Sequence, residues 1–181
     1  MKAIATGLAT SLLFICLLTT SCSHYSLGTE GKLTFTSIYI EPVGNKSSLK
    51  QAQAIVSEQL RSAFEKDGRV TLVNSPQAAD VTLTVTLTRF HRDVSAVRET
   101  DTGLASKFTL TLDSVCALSD NRTHSVLFQN RHVSVEASSF TDNGIPALVG
   151  PGDQQQSEYN TLPILAQELA DKVSHVVLDV W

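Results

Sequence analysis

The stretch Asp80-Val81-Thr82-Leu83-Thr84-Val85-Thr86-Leu87-Thr88-Arg89-Phe90 carries the most regular pattern in the chain. Val81, Leu83, Val85 and Leu87 share one parity, and Thr82, Thr84, Thr86 and Thr88 share the other. Successive side chains of a strand point to opposite faces, so the alternation predicts a strand with one face on an apolar core and the other toward something polar. Phe108-Thr109-Leu110-Thr111-Leu112-Asp113 repeats it, and the apolar parity continues through Cys116 and Leu118. Between the two, His91 to Thr102 is expected as a long charged connection. Ser119-Asp120-Asn121-Arg122-Thr123 has turn composition, and Val126 to Ala137 is expected as the last strand.

Toward the N-terminus, Leu33 to Ile40 is rich in β-branched and aromatic residues and reads as a first strand closed by Pro42. Its apolar parity shifts between Phe35 and Ile38, which predicts a bulge or burial on both faces. Ser48-Leu49-Lys50-Gln51 has the spacing of a capping box, so a helix is expected from Ser48. Leu49, Ala52, Val56, Leu60, Ala63 and Phe64 then fall within an arc of roughly 120°, and Gly68 supplies a C-terminal stop. Val70 to Val73 is a short strand ended by Asn74-Ser75-Pro76. Toward the C-terminus, Thr141 to Glu158 holds Gly144, Pro146, Gly150, Pro151 and Gly152 and is expected as a long loop. A second helix is expected from Asn160-Thr161, with Pro163 in its first turn. Its apolar stripe is Leu162, Leu165, Leu169, Val173, Val176 and Val180. The expected fold is α+β: two amphipathic helices packed on one face of a mixed four- to five-stranded sheet, in the order β-α-β-β-β-β-α. The threonine face is left open.

Residues 1–21 read as an export signal. One positive charge, Lys2, precedes an apolar run ending Leu17-Leu18-Thr19-Thr20-Ser21, and no acidic residue occurs before Glu30. Cys22 directly after the small residues resembles the cleavage and acylation site of a bacterial lipoprotein, with Thr19 where that pattern usually has Leu. The organisation expected is a removed signal peptide (1–21), a lipidated N-terminus and linker (22–32) and a single domain (33–181). The other two cysteines are Cys16, in the signal, and Cys116, at a core parity of its strand, so no internal disulfide is expected. A net charge of −4 argues against a nucleic-acid partner, which calls for a basic domain. The sequons Asn45-Lys46-Ser47 and Asn121-Arg122-Thr123 are expected to be chance matches in turns.

No nucleophile elbow, zinc-protease helix, phosphate-binding loop or paired Cys-x-x-Cys occurs, and the five histidines are scattered without ligand spacing. Neither enzyme activity nor a metal or other cofactor is expected. Two features can carry binding. One is the threonine face, Thr82, Thr84, Thr86, Thr88, Thr109 and Thr111, either a solvated sheet surface or a polar surface docked against a protein wall. The other is the basic set Arg89, His91, Arg92, Arg98, Lys107 and Arg131, either surface charge for solubility or a grip on an anionic lipid headgroup, since guanidinium binds phosphate with parallel N–H bonds.

The anchor cysteine is followed by Tyr25-Ser26-Leu27, then Leu33-Thr34-Phe35-Thr36-Ser37-Ile38-Tyr39-Ile40-Glu41-Pro42-Val43. An amphipathic helix, Ala79-Asp80-Val81-Thr82-Leu83 and a terminal helix from Leu162-Pro163-Ile164-Leu165 to Trp181 complete the series. Together these resemble the LPS-assembly lipoprotein (LptE) family over nearly the whole mature chain. The resemblance implies an outer-membrane, periplasm-facing lipoprotein that plugs an LptD-type β-barrel and helps insert lipopolysaccharide into the outer leaflet. It also implies contact with barrel and lipopolysaccharide through the sheet surface and nearby basic residues, here the threonine face and Arg89, Arg92, Arg98 and Lys107. An adaptor lipoprotein of another envelope-assembly system and a secreted enzyme with a non-local site stand as the other readings.

Overall fold

The alternating stretch is the hub of a mixed sheet. The computed structural model describes residues 33–97, 99, 105–140 and 151–179. Among these, β1 (Ser37–Ile40), β2 (Gly44–Asn45), β3 (Thr71–Leu72), β4 (Val81–Val97), β5 (Ala105–Asp120) and β6 (Ser125–Phe140) form one six-stranded sheet, accompanied by α1 (Ala52–Asp67) and α2 (Pro151–Leu178). The sheet path is β3-β1-β4-β5-β6, with β2 also pairing on β4. β1 is parallel to β3 and β4, and β2 is parallel to β4, whereas β4, β5 and β6 are antiparallel. This is the α+β architecture expected. The sixth strand is β2, whose two residues are too few for a period of two to register; β3 falls within the short strand expected at 70–73.

Val81, Leu83, Val85 and Leu87 are fully buried, as their parity requires. They share one core with Leu110, Leu112 and Leu118 of β5, with Val56, Leu60 and Phe64 of α1, and with Leu165, Leu169 and Val173 of α2. Both helices therefore cover one sheet face. Each such side chain stabilises the fold by about 1.5–3 kcal/mol relative to an exposed one. α1 ends at Gly68, whose φ of 73° is left-handed and whose N–H donates to the Phe64 carbonyl. Glycine fits there because a Cβ is disfavoured in that conformation.

Five local expectations are corrected. The first strand is shorter than 33–40, because the N–H groups of Thr36 and Ser37 donate to the Asp80 carboxylate instead of to a neighbouring strand. The capping box at Ser48 does not form. Asn45 Nδ2 donates to the Leu49 carbonyl and Ser47 Oγ accepts from the Leu49 N–H, holding a turn, and the helix starts only at Ala52. His91 to Val97 is not connection but strand, paired along β5 as far as Ala105. Residues 151–158, expected as loop, are helical. Within this stretch Gln154 bonds Glu158 one turn on, and Ser157 Oγ donates to the Phe140 carbonyl. Pro163 consequently lies inside α2 and not in its first turn. Residues 141–150 and Val180 lie outside the described residues.

Both sequon asparagines are structural. Asn45 braces the turn before α1, and Asn121 bonds the carbonyls of Pro76 and Ala79 while accepting from Thr82.

Candidate functional site

The sheet face opposite the helices is open, and its chemistry changes along its length. At the end where β4 begins, Thr82 is only 7% exposed, because its hydroxyl donates to Asn121 in the β5–β6 turn. Thr84 donates to Glu41 Oε2 at 2.8 Å. Gly44 brings β2 so close to Thr86 that a Cβ there would meet its hydroxyl at 3.0 Å. Thr84, Thr86 and Thr88, with Lys46, Ala117 and Asn130, line a shallow depression of about 370 Å³. Lys46 and Asn130 were not legible as site residues. Lys46 follows a two-residue strand, and Asn130 is placed by a left-handed kink (φ 55°) that no periodicity reveals. Thr109 and Thr111 are half-buried further along, in register with Asp93 and His91 of β4.

A bulge at Thr88 reorganises the basic residues. The register passes from Leu87 opposite Ser114 to Arg89 opposite Asp113, so Thr88 is an extra residue. From Arg89 to Val94 the β4 side chains change face relative to the parity set by Val85, until a further register shift between Val94 and Ala96. Arg89 and His91 thereby join the open face, while Arg92 lies on the helix side, opposite Leu110, pairs with Glu158 of α2 and sits 5.4 Å from the Phe108 ring centre. Arg131 also lies on the helix side. It stacks 4.2 Å from the Phe128 ring centre and donates to the Val176 carbonyl at 3.2 Å, near the end of α2. Lys107 is over Phe140 at 5.5 Å. The six basic residues are therefore not one cluster. Arg89, His91 and Lys107 share the open face, Arg92 and Arg131 do not, and Arg98 and Cys22 lie outside the described residues.

On the open face, Arg89 bonds Asp113 through Nε at 2.8 Å and its side chain remains 75% exposed. Its terminal guanidinium nitrogens have no protein partner among the described residues, so half of a phosphate-binding fork is available. Asp113 also accepts from Ser134 Oγ at 2.7 Å, and these two donors, the serine foremost, hold its carboxyl below the usual carboxylate range. His91 pairs with Asp93 at 2.9 Å. Lys107 stands six residues along β5 from Asp113, roughly 20 Å away, too far to hold the same phosphate as Arg89. Cys116 is fully buried, and burial pushes its thiol up to about 11, so it is inert as a nucleophile. Among the described residues no group of three His, Cys, Asp or Glu side chains is placed to hold a metal, and no helix is long and apolar enough to cross a membrane.

These observations define a class: an α+β domain whose two helices back a long antiparallel sheet and leave its other face polar and open. Residues 35–174 match the model of the LptE family, described as lipopolysaccharide-assembly. The chain belongs to that family. No curated protein matches it. Among solved structures, a protein of Xanthomonas campestris is 11% identical with a TM-score of 0.57, covering 83% of this chain and 89% of that one. A hypothetical protein of Chlamydia trachomatis is 13% identical with a TM-score of 0.51, covering 81% and 98%. The rare lipoprotein B of Shewanella oneidensis is 13% identical with a TM-score of 0.45, covering 74% and 91%. At these identities the likeness to the first two concerns the fold alone.

Proposed function

We propose that the chain is an outer-membrane lipoprotein, acylated at Cys22 and facing the periplasm, that plugs and helps assemble an LptD-type β-barrel inserting lipopolysaccharide into the outer leaflet. The family match over residues 35–174 carries this reading. The role is structural and not catalytic. Thr84, Thr86, Thr88, Thr109 and Thr111 form the surface that docks against the barrel wall: nearly uncharged, β-rich and free of covering helix. Thr82, already capped by Asn121, marks its closed end. Arg89 offers its free guanidinium donors to a lipid phosphate, and His91 and Lys107 extend positive potential along the same face. Arg92, Arg98 and Arg131 complete the basic set, with Arg92 and Arg131 acting through their ties to α2.

Purification of the lipidated chain from detergent-solubilised outer membrane tests the partnership: a barrel of LptD type should accompany it, and its absence under gentle conditions overturns the reading. Fatty-acid labelling of the chain should disappear with Cys22→Ala. Lipopolysaccharide binding by the soluble domain should weaken severalfold with Arg89→Ala at low salt. Unchanged affinity would mark Arg89 as ordinary surface.

A further inference from the structure

α2 changes character along its length. Its inward stripe of Leu162, Leu165, Leu169 and Val173 is fully buried. Four and seven residues before Leu162, the same helix face carries Glu158 and Gln155. None of residues 154–160 is buried, whereas Thr161, Leu162, Leu165 and Ala166 all are. Hydrophobic burial therefore holds α2 from Thr161 onward and contributes little before it. Packing beneath the earlier part is open. A cavity of about 220 Å³ lies there, lined by Gln155, Glu158 and Tyr159 of α2 together with Leu49, Phe90 and Leu110.

Among the described residues, what fastens 154–160 to the sheet is polar. Glu158 Oε1 accepts from Arg92 Nη1 of β4 and, at 2.9 Å, from Gln154 Nε2. Ser157 Oγ donates to the Phe140 carbonyl of β6 at 2.6 Å and lies 2.8 Å from Ser139 Oγ. Water replaces such bonds when they open, so each holds less firmly than a buried leucine. The helix itself is weakened at the same boundary. Pro163 has no N–H, so the Tyr159 carbonyl lacks the donor that a helix supplies four residues on. Thr161 Oγ1 donates to the Ser157 carbonyl at 2.8 Å, a back-bond that bends helices. A segment as short as 154–161 does not stay helical in water by itself. It is helical while it lies on the sheet and melts when it leaves.

We propose that residues 154–161 form a strap, hinged at Pro163, that opens from the sheet while the rest of α2 stays packed. The Arg92–Glu158 pair is its latch. Opening uncovers Leu110 and Leu162, both buried in the closed state, and releases the Arg92 guanidinium that Glu158 occupies. The sheet and the later part of α2 need not move, because Leu165, Leu169 and Val173 lie past the hinge and remain in the core.

Backbone amide exchange of the full chain in detergent, followed as urea is raised, tests the strap. Amides 158–162 should exchange roughly tenfold or more faster than 166–177, at a rate that low urea leaves unchanged, while 166–177 follow global unfolding. Leu169→Ala should speed 166–177 by roughly tenfold or more and leave 158–162 unaltered, because the strap opens with residue 169 still packed. Arg92→Ala breaks the latch and should speed 158–162 severalfold. Pro163→Ala restores the N–H at an exposed position and should slow them severalfold. Equal rates and equal urea dependence in the two segments mean that α2 opens only with the whole domain, which overturns the strap. Amides 158–162 as fast as an unfolded chain mean that no closed state exists, which also overturns it. Exchange of 158–162 unchanged by Arg92→Ala overturns the latch. Should Leu169→Ala not fold, the urea dependence of the unmodified chain decides.

Discussion

Asp80 sits where the chain enters the sheet, surrounded by donors. Its Oδ2 accepts from the Thr36 N–H at 2.8 Å, the Thr36 hydroxyl at 3.0 Å and the Ser37 N–H at 3.1 Å. These bonds, the Thr36 N–H first, hold its carboxyl down to about 2. The folded state thus binds the proton less readily than the unfolded chain, whose Asp titrates near 3.9. The stabilisation is complete above that value and is lost as pH falls through about 2. Asp80→Asn should lower stability in urea by roughly 1–2 kcal/mol at neutral pH and flatten part of the acid slope between about pH 4 and 2. Equal stability at neutral pH would show that the tie contributes nothing. A second residue gives a probe: in a protein produced without residues 1–21 and with Cys22→Ser, Cys116 is the sole cysteine, and its full burial should block thiol reagents until the protein unfolds. Reaction at the native rate of a free cysteine would contradict that burial. The core parity of Cys116 was legible from its strand. The role of Asp80 was not, because its partners lie more than 40 residues away.

The stop at Gly68 is an element-scale feature written in the sequence and realised in the fold. Nothing lies within 4 Å of a Cβ added there, so Gly68→Ala tests backbone conformation alone. It should cost roughly 1 kcal/mol, read as a lower unfolding midpoint with an unchanged urea slope. A neutral result would mean that the left-handed cap contributes nothing. The start of the same helix was misread, because a local capping signal at Ser48 competes with a brace from Asn45 that already occupies the turn. The start of α2 was misread for the related reason that Gly, Pro and Gln composition signals loop, while Ser157 and Glu158 are fastened to β6 and β4. Propensity is a weak prior against such tertiary bonds.

At the scale of the whole molecule, one core joins both helices to the sheet, so the domain should unfold as a unit. Leu169→Ala, at a fully buried position in the middle of α2, should cost about 2–5 kcal/mol. Loss of circular dichroism and exposure of the Cys116 thiol should shift together. Separate transitions would show that α2 melts independently of the sheet. The amino-acid sequence by itself determined the α+β class, the two helix stripes, the buried set Val81, Leu83, Val85 and Leu87, and the resemblance to the family that residues 35–174 match. These follow from periodicity, which needs only neighbours along the chain. Tertiary structure alone decided which charges share a surface. One extra residue at Thr88 turns Arg89 and His91 to the open face and Arg92 to the helices, and the kink at Asn130 precedes Arg131 on the helix side. A strand has a side-chain period of two, so a single bulged residue reverses every assignment beyond it, and whether a strand bulges depends on the partner it pairs with.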